Sequence, residues 1–316
     1  MTVTRIAIVQ QAPVFLDRAA TLDKAVAALG EAARGGARLV VFPEAFVPGY
    51  PAWMWRLRPG DDMALTEQLQ TQLRANAVDL GRDDLAPLCQ AAQQHELTVV
   101  CGINERDGSF SRDTLYNGVV VIGPDGTIAN RHRKMMPTNP ERMAWGFGDA
   151  SGLKVVDTPC GRVGALICWE NFMPLARCAL YAQGIEIYVA PTYDSGDRCI
   201  ATMQHIAREG GCWVLGSGCA FQGRDIAATL PDPAKRLYPE ADEWIHPGDS
   251  VVVAPGGKIV AGPLHEACGI LYADIDLARV GMAHRSLDVT GHYARPDLFQ
   301  LRVNTAPARP VIFSQE

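Results

Sequence analysis

Three widely separated residues of the chain have side chains that could act together in covalent catalysis. Cys168 directly follows the apolar run 163–167, Glu44 lies just beyond the apolar run 39–42, and Lys134 follows a basic stretch. A cysteine thiolate is a strong nucleophile, a carboxylate can act as general base, and an ammonium group can stabilise negative charge that develops on a substrate. These residue types predict a thiol-dependent enzyme, provided that folding brings them into one cavity.

Each of these residues also has an ordinary structural explanation. A Glu in a loop commonly caps a helix or pairs with a cation, a lone Cys is usually buried and inert, and a single Lys is usually exposed. The position of Cys168 between a strand and a helical pattern favours catalysis, because amides at a helix start stabilise a thiolate. Glu141 lies a few residues after Lys134 and could orient it or relay protons, although a surface salt bridge is the more common role of such a residue.

The elements that would position these residues are short strands that alternate with helices along the whole chain. Apolar and β-branched runs predict nine strands, at 5–10, 39–42, 97–103, 115–122, 163–167, 185–190, 212–217, 250–254 and 270–275. Apolar residues at three-and-four spacing predict four helices: one after an Asp17 cap, one around 67–80, one after Asp84 and one behind Asp197. The alternation indicates one α/β domain, and by itself it allows a doubly wound or a barrel arrangement equally well. The stretch 225–247 and the tail 291–316 show no clear period.

Composition indicates a globular protein whose partners are small molecules. Nearly half of the 316 residues are hydrophobic, the net charge is −6, and Lys and Arg are scattered, so we expect neither nucleic acid nor a membrane as partner. No apolar run approaches the roughly 18 residues of a membrane-spanning helix. The first ten residues read as a strand rather than a signal peptide, and nine cysteines at irregular spacing fit reduced thiols, which predicts a cytoplasmic protein.

The three segments together resemble the nitrilase superfamily, in which Glu, Lys and Cys occur in this chain order. The details are similar to the true nitrilases, on four stretches of sequence: Phe42-Pro-Glu-Ala-Phe-Val-Pro-Gly-Tyr-Pro51, Arg133-Lys-Met-Met-Pro-Thr138, Cys168-Trp-Glu-Asn-Phe-Met-Pro174 and Gly291-His-Tyr-Ala-Arg-Pro-Asp297. The resemblance extends over nearly the whole chain and is weakest over 225–247 and the last twenty or so residues.

This resemblance implies a fold, a reaction and an assembly. The fold would be a four-layer α-β-β-α sandwich over residues 1–290, with the tail 291–316 at a subunit interface of a homodimer or a larger, spiral homo-oligomer. Cys168, Glu44 and Lys134 would be the catalytic residues, with Glu141 in support. They would convert an organic nitrile to a carboxylic acid and ammonia through a thioimidate and a thioester, without a metal or organic cofactor. The predicted substrate-binding residues are Tyr50, Trp53, Trp169, Thr192 and Tyr193, with the Trp169 amide also stabilising charge.

Other functions remain open at this stage. An amidase or carbamoylase of the same superfamily could form the same thioester from an amide. A nitrile hydratase-like outcome would release an amide when the tetrahedral intermediate expels the thiol. A catalytically silent, oligomeric scaffold or binding protein is the alternative from another class, and the joint presence of all three chemical residues speaks against it.

Overall fold

The computed structural model describes residues 3–58 and 60–312 of the chain. Strands alternate with helices over most of this length. The strands are β1 (Val3–Gln10), β2 (Leu39–Val41), β3 (Thr98–Arg106), β4 (Leu115–Ile122), β5 (Ile128–Arg133), β6 (Val156–Thr158), β7 (Gly161–Ala165), β8 (Ile187–Thr192), β9 (Trp213–Gly218), β10 (Ala220–Gln222), β11 (Trp244–Ala254), β12 (Lys258–His265) and β13 (Gly269–Asp276). The α-helices are α1 (Arg18–Arg34), α2 (Met63–Asn76), α3 (Ala86–Gln94), α4 (Pro174–Tyr181), α5 (Gly196–Glu209), α6 (Gly223–Ala227), α7 (Asp232–Lys235) and α8 (Ala278–Ser286).

The strands form two mixed sheets with related topologies. The first has the order β13-β1-β2-β3-β4-β5, and the second has the order β10-β11-β9-β8-β7-β6 with β12 paired to β11. Strands β1, β2 and β3 are parallel in the first sheet, and β7, β8 and β9 are parallel in the second. Glu44 follows β2 and Cys168 follows β7, so both residues lie beyond the carboxyl end of a strand in a parallel part of a sheet.

The two sheets pack face to face through side chains that alternate along their strands. Ile6 and Ile8 of β1 share one buried core with Val163, Val189 and Leu215 of the second sheet. Because successive side chains of a strand point to opposite faces, the intervening residues face outward. This alternation makes one continuous apolar layer between the sheets.

Helices cover the outer face of each sheet. Ala7 and Val9 pack with Leu29 of α1 on the first sheet, and Tyr188 packs with Met203 of α5 on the second. The layers therefore run helix, sheet, sheet, helix, and the predicted four-layer α-β-β-α sandwich is confirmed. The doubly wound and barrel arrangements that alternation alone allowed are excluded.

All nine predicted strands are present, with shifted ends, and the first predicted helix begins as expected. The Asp17 carboxylate accepts a hydrogen bond from the Ala20 amide at 3.0 Å and caps α1. The helix predicted after Asp84 is also present as α3, with Leu85 at its cap position, and Asp84 accepts a hydrogen bond from the Asp79 amide. The prediction missed β5, β6, β10 and β12, which are short or lie at sheet edges and lack apolar alternation.

The segment 225–247 contains short helices, and the described tail has no regular secondary structure. Helices α6 and α7 pack Ile226 and Ala234 into a core that also contains Tyr50 and Trp53. The tail residues 291–312 form neither helix nor strand and expose several large apolar side chains. Among residues 3–58 and 60–312, no helix is both long and apolar enough to cross a membrane.

Candidate active site

Glu44 lies fully buried just beyond β2, where the backbone turns sharply. The following residue, Ala45, has a left-handed φ of 49°, which turns the chain away from the sheet. The Asn117 side-chain amide donates to Glu44 Oε1 at 2.6 Å, and the Tyr193 backbone amide donates to Oε2 at 2.6 Å. These two donors come from β4 and from the loop after β8, so both sheets orient this carboxylate.

Lys134 joins Glu44 to Glu141 in the interior. Its Nζ donates to Glu44 Oε1 at 2.8 Å and to Glu141 Oε2 at 2.7 Å, and all three side chains are excluded from solvent. Glu141 also accepts hydrogen bonds from the Tyr50 hydroxyl at 2.8 Å and the Thr138 amide at 2.7 Å. The common surface roles of Lys134 and Glu141 are therefore excluded, while the role of Glu141 in orienting Lys134 stays a prediction that this contact supports.

Cys168 follows β7 after the two intervening residues 166 and 167, and its backbone conformation is strained. Its φ is 54°, in the left-handed region that residues with a Cβ rarely adopt. The Asn171 side-chain amide donates to the Cys168 carbonyl at 2.6 Å. Sγ of Cys168 and one carboxylate oxygen each of Glu44 and Glu141 lie within 4.8 Å of one another. The structure thus brings together the four side chains that the sequence selects.

Burial governs the electrostatics of the site. Removal from water raises the pKa of Glu44, and the Glu141 charge raises it further, against the opposing effects of Lys134 and Asn117. Burial and then the Glu44 carboxylate raise the pKa of Cys168, although Lys134 lowers it. The pKa of Lys134 is raised, because the surrounding negative groups outweigh its desolvation, so it is cationic.

The expectation that a helix start stabilises a Cys168 thiolate is therefore wrong. Residues Cys168–Phe172 form a short 3-10 helix and α4 begins only at Pro174, so Cys168 does not stand at the start of an α-helix. A thiolate formed beside two ionised carboxylates would add a further buried negative charge near a single cation. Ionisation of the thiol is consequently coupled to protonation of Glu44, and the thiol needs a base.

Glu170 is a functional candidate that the sequence analysis did not select. Its carboxylate accepts hydrogen bonds from the Ile167 and Met135 amides, both at 2.8 Å, and contacts His132 Nε2 at 2.9 Å. Ile167 precedes Cys168 and Met135 follows Lys134, so one buried carboxylate ties the nucleophile segment to the lysine segment. Asn117 and Asn171 were also missed, since nothing in the sequence marks an asparagine that binds a distant carboxylate or a local carbonyl.

The predicted substrate-binding residues lie around the site in different environments. Tyr50 and Tyr193 stack with ring centroids 3.7 Å apart, and Trp53 is buried in the same aromatic core. Thr192 is buried beside the thiol, whereas Trp169 is 47% exposed and packs edge to face on Phe172. Trp169 and Phe172 line a surface cavity of about 680 Å³ together with residues 194–198. Contact of any of them with a substrate stays a prediction.

The donor set of Glu44, Glu141 and Cys168 resembles one that could hold a metal ion. Two carboxylates and a thiol lie close enough to bind a single cation. The ammonium group of Lys134, however, already lies at hydrogen-bond distance from both carboxylates. A second cation in this space would be repelled by Lys134, so the residues fit an internal cation rather than a metal.

Comparison with known proteins agrees with the fold. The sequence model of the carbon-nitrogen hydrolase family matches residues 5–285. The chain therefore belongs to the carbon-nitrogen hydrolase family. Among solved structures, it is similar to a carbon-nitrogen hydrolase from Helicobacter pylori G27, with a TM-score of 0.69 and 20% identity over 94% of this chain and 97% of the other. The similarity to Nit3 of Saccharomyces cerevisiae gives a TM-score of 0.68 at 21% identity, over 92% and 96% of the two chains.

Sequence relatives define the branch within that family. The chain is 43% identical to an aliphatic nitrilase of Sinorhizobium fredii (strain HH103), over 99% of both chains. It is 42% identical to nitrilase 3 of Arabidopsis thaliana, over 98% of this chain and 89% of the relative. A bifunctional nitrilase/nitrile hydratase, NIT4A of Lupinus angustifolius, is 41% identical over 98% and 88% of the two chains. These similarities put the chain in the nitrilase branch.

Proposed function

We propose that this protein hydrolyses organic nitriles to the carboxylic acid and ammonia through intermediates bound to Cys168. The observation that carries the proposal is the buried arrangement of one thiol, one ammonium group and two carboxylates, with the sulfur and both carboxylates within 4.8 Å. The names of the relatives in the nitrilase branch support nitriles as the substrate class. A nitrile carbon is a weak electrophile, which makes a polarisable sulfur nucleophile chemically suitable.

The first step forms a carbon–sulfur bond. Glu44 takes the proton of the Cys168 thiol as sulfur attacks the nitrile carbon, and this proton passes to the nitrile nitrogen to give a thioimidate. The raised pKa of Glu44 suits a group that must both accept and return a proton near neutral pH. Lys134 and the Trp169 amide stabilise the negative charge that develops on nitrogen.

Two water molecules complete the reaction. The first, activated by Glu44, adds to the thioimidate carbon and gives a tetrahedral intermediate with hydroxyl, amino and thioether groups. Protonation of nitrogen lets ammonia leave, so the intermediate becomes a thioester on Cys168. The second water hydrolyses the thioester, which releases the carboxylic acid and restores the thiol. One nitrile and two waters thus yield one acid and one ammonia.

An amide product is the second candidate outcome. If the tetrahedral intermediate breaks its carbon–sulfur bond instead of its carbon–nitrogen bond, an amide leaves and Cys168 is restored after a single hydration. The three sequence relatives described above are named nitrilases, and one of them is also named a nitrile hydratase. A panel of nitriles and matched amides, scored for acid, amide and ammonia, separates a nitrilase from an amidase and gives the product ratio.

The direct test compares two cysteine variants. Cys168→Ala should abolish ammonia release from every nitrile that the wild type converts, because no covalent intermediate can form. Cys212→Ala, which changes a buried cysteine in the core of the second sheet, should keep most of the activity. Undiminished ammonia release by Cys168→Ala in the same assay would end the proposal.

The substrate side chain would be held near the aromatic surface beside Cys168. The cavity at Trp169 and Phe172 directly follows the nucleophile in sequence and borders the loop after Tyr193. Its walls are mainly apolar, which suits the organic group of a nitrile. We place Tyr50, Trp53 and Thr192 on the inner side of the same binding site.

We infer that the protein acts as a homo-oligomer in the cytoplasm. All nine cysteines are free thiols, as expected in a reducing compartment. The tail residues Leu298, Phe299 and Ile312 expose more than half of their surface, which a partner subunit would cover. Residues 1–290 would then form the hydrolase domain and 291–316 an interface segment.

A further inference from the structure

A second cavity, at the end of the first sheet, is lined by arginines and not by catalytic residues. Its volume is about 380 Å³, which falls within the range of roughly 300–1,000 Å³ that small-molecule sites occupy. Five arginines line it: Arg82, Arg106, Arg112, Arg131 and Arg133. Strand β5 separates this cavity from the candidate active site, because Arg131 and Arg133 face it while the alternate residues His132 and Lys134 face Glu170 and Glu44.

The carboxylates of the cavity are already shared between arginines. Glu105 pairs with Arg131 at 3.0 Å and with Arg133 at 2.6 Å. Asp79 pairs in the same way with Arg106 at 3.2 Å and with Arg82 at 3.4 Å. Five guanidinium groups and two carboxylates line the cavity, and Asp107 lies 3.8 Å from Arg133 behind this lining, so positive charge is in excess.

Arg133 and the loop that carries Arg112 are held in place before any ligand binds. The Arg133 guanidinium stacks on the Tyr116 ring at 3.8 Å, and only 16% of its side chain is exposed. The loop that carries Arg112 is fixed by Asp107, whose carboxylate accepts hydrogen bonds from the Ser109 and Ser111 amides. Arg112 has no ion-pair partner among residues 3–58 and 60–312. Its charge is thus available to a ligand, and little side-chain entropy is lost at Arg133.

We propose that this cavity binds the phosphate group of a small molecule. Guanidinium groups present paired N–H donors that match phosphate oxygens, and donors from three separate segments can surround a tetrahedral group. The excess of positive charge favours an anionic group such as a phosphate. A cavity of this volume holds more than the inorganic ion, so a phosphate monoester of a small alcohol fits it better.

The test measures binding of two probes, inorganic phosphate and glycerol 3-phosphate, by isothermal titration calorimetry in chloride buffer at constant ionic strength. The cavity variant Arg82→Ala/Arg112→Ala removes two exposed arginines. The control variant Arg38→Ala/Arg224→Ala removes the same charge from exposed arginines elsewhere. We expect saturable binding to the wild type and the control, weakened roughly tenfold or more in the cavity variant. Unchanged near-ultraviolet circular dichroism checks that each variant is folded, independently of nitrile turnover.

The outcomes separate the ligand sources and can overturn the proposal. Tighter binding of glycerol 3-phosphate assigns the site to a phosphate monoester, and equal or weaker binding assigns it to the inorganic ion. Absence of saturable binding of both probes, or equal affinity in the cavity and control variants, would overturn the proposal.

Discussion

At the scale of single residues, the protonation of Glu44 controls the chemistry proposed for Cys168. The pKa of Glu44 is raised by burial and by Glu141, while Lys134 and Asn117 oppose this rise. Acid protonates Glu44 and removes the base that must take the thiol proton. The rate of nitrile hydrolysis should therefore begin to fall, as the pH is lowered, at a pH above the usual pKa range of a glutamate. This acid limb of the pH profile reports the protonation of Glu44.

Asn117→Ala should move the acid limb of kcat/KM to higher pH. The variant removes a hydrogen bond that stabilises the Glu44 carboxylate, so the pKa of Glu44 rises further. The measurement is kcat/KM against pH for one nitrile. Asn130→Ala is the matched control, because Asn130 binds the Gly152 carbonyl away from the site. An acid limb that stays in place, or moves to lower pH, contradicts this role of Glu44.

The sequence predicted the chemical residues but not the groups that tune them. Glu44 and Cys168 were detectable because each follows an apolar run that ends at one edge of a sheet. Asn117 lies in the middle of an apolar strand pattern, and its partner is 73 positions away, so no local spacing marks it. The pKa of Cys168 was predicted in the wrong direction, since burial among carboxylates depends on the tertiary fold.

At the scale of elements, Glu170 connects the segment after β7 to the end of β5. Its carboxylate contacts His132 Nε2 and accepts hydrogen bonds from two backbone amides. These bonds lower the pKa of Glu170 despite its burial, so it remains a carboxylate. Because it touches neither Sγ of Cys168 nor Nζ of Lys134, it is a positioning residue.

Glu170→Gln should lower kcat by roughly 10- to 100-fold and leave KM nearly unchanged. A glutamine cannot accept all the bonds of the carboxylate, so the segments of Cys168 and Lys134 move apart, and small displacements of reacting groups are costly. Steady-state kinetics on one nitrile measures the split between kcat and KM. Glu209→Gln breaks the ion pair with Arg177 in an outer layer, and it should lower the melting temperature without this loss of kcat. Equal losses of kcat in both variants would show that Glu170 has only a structural role.

The elements themselves were more predictable where packing dominates. Central strands such as β3 and β8 are buried on both faces and read as apolar runs. Strand β5 has the sequence Ile-Ala-Asn-Arg-His-Arg and lies at a sheet edge, where polar residues are tolerated, so its pattern did not predict a strand. The four-layer arrangement came from the family resemblance, since alternation does not specify how two sheets pack.

At the scale of the whole molecule, the tail 291–312 exposes large apolar side chains that a partner subunit could cover. Its exposed apolar residues, among them Leu298 and Phe299, lie beside a cavity of about 1,000 Å³ that also borders α4. A chain shortened after Thr290 should sediment as a smaller species than the full chain, because it would lack the proposed subunit interface. Analytical ultracentrifugation at several concentrations measures the change. Identical oligomer size for both chains would contradict the interface role of 291–316.

The proposed reaction depends on Cys168 being the nucleophile, and acid quenching during turnover of a slow nitrile tests this most directly. Mass spectrometry of the digested protein should find the acyl group of the substrate on the peptide that contains Cys168, with no adduct on the peptide that contains Cys212. An adduct on another residue, or turnover without any adduct at Cys168 under conditions where the intermediate accumulates, would contradict the proposed mechanism.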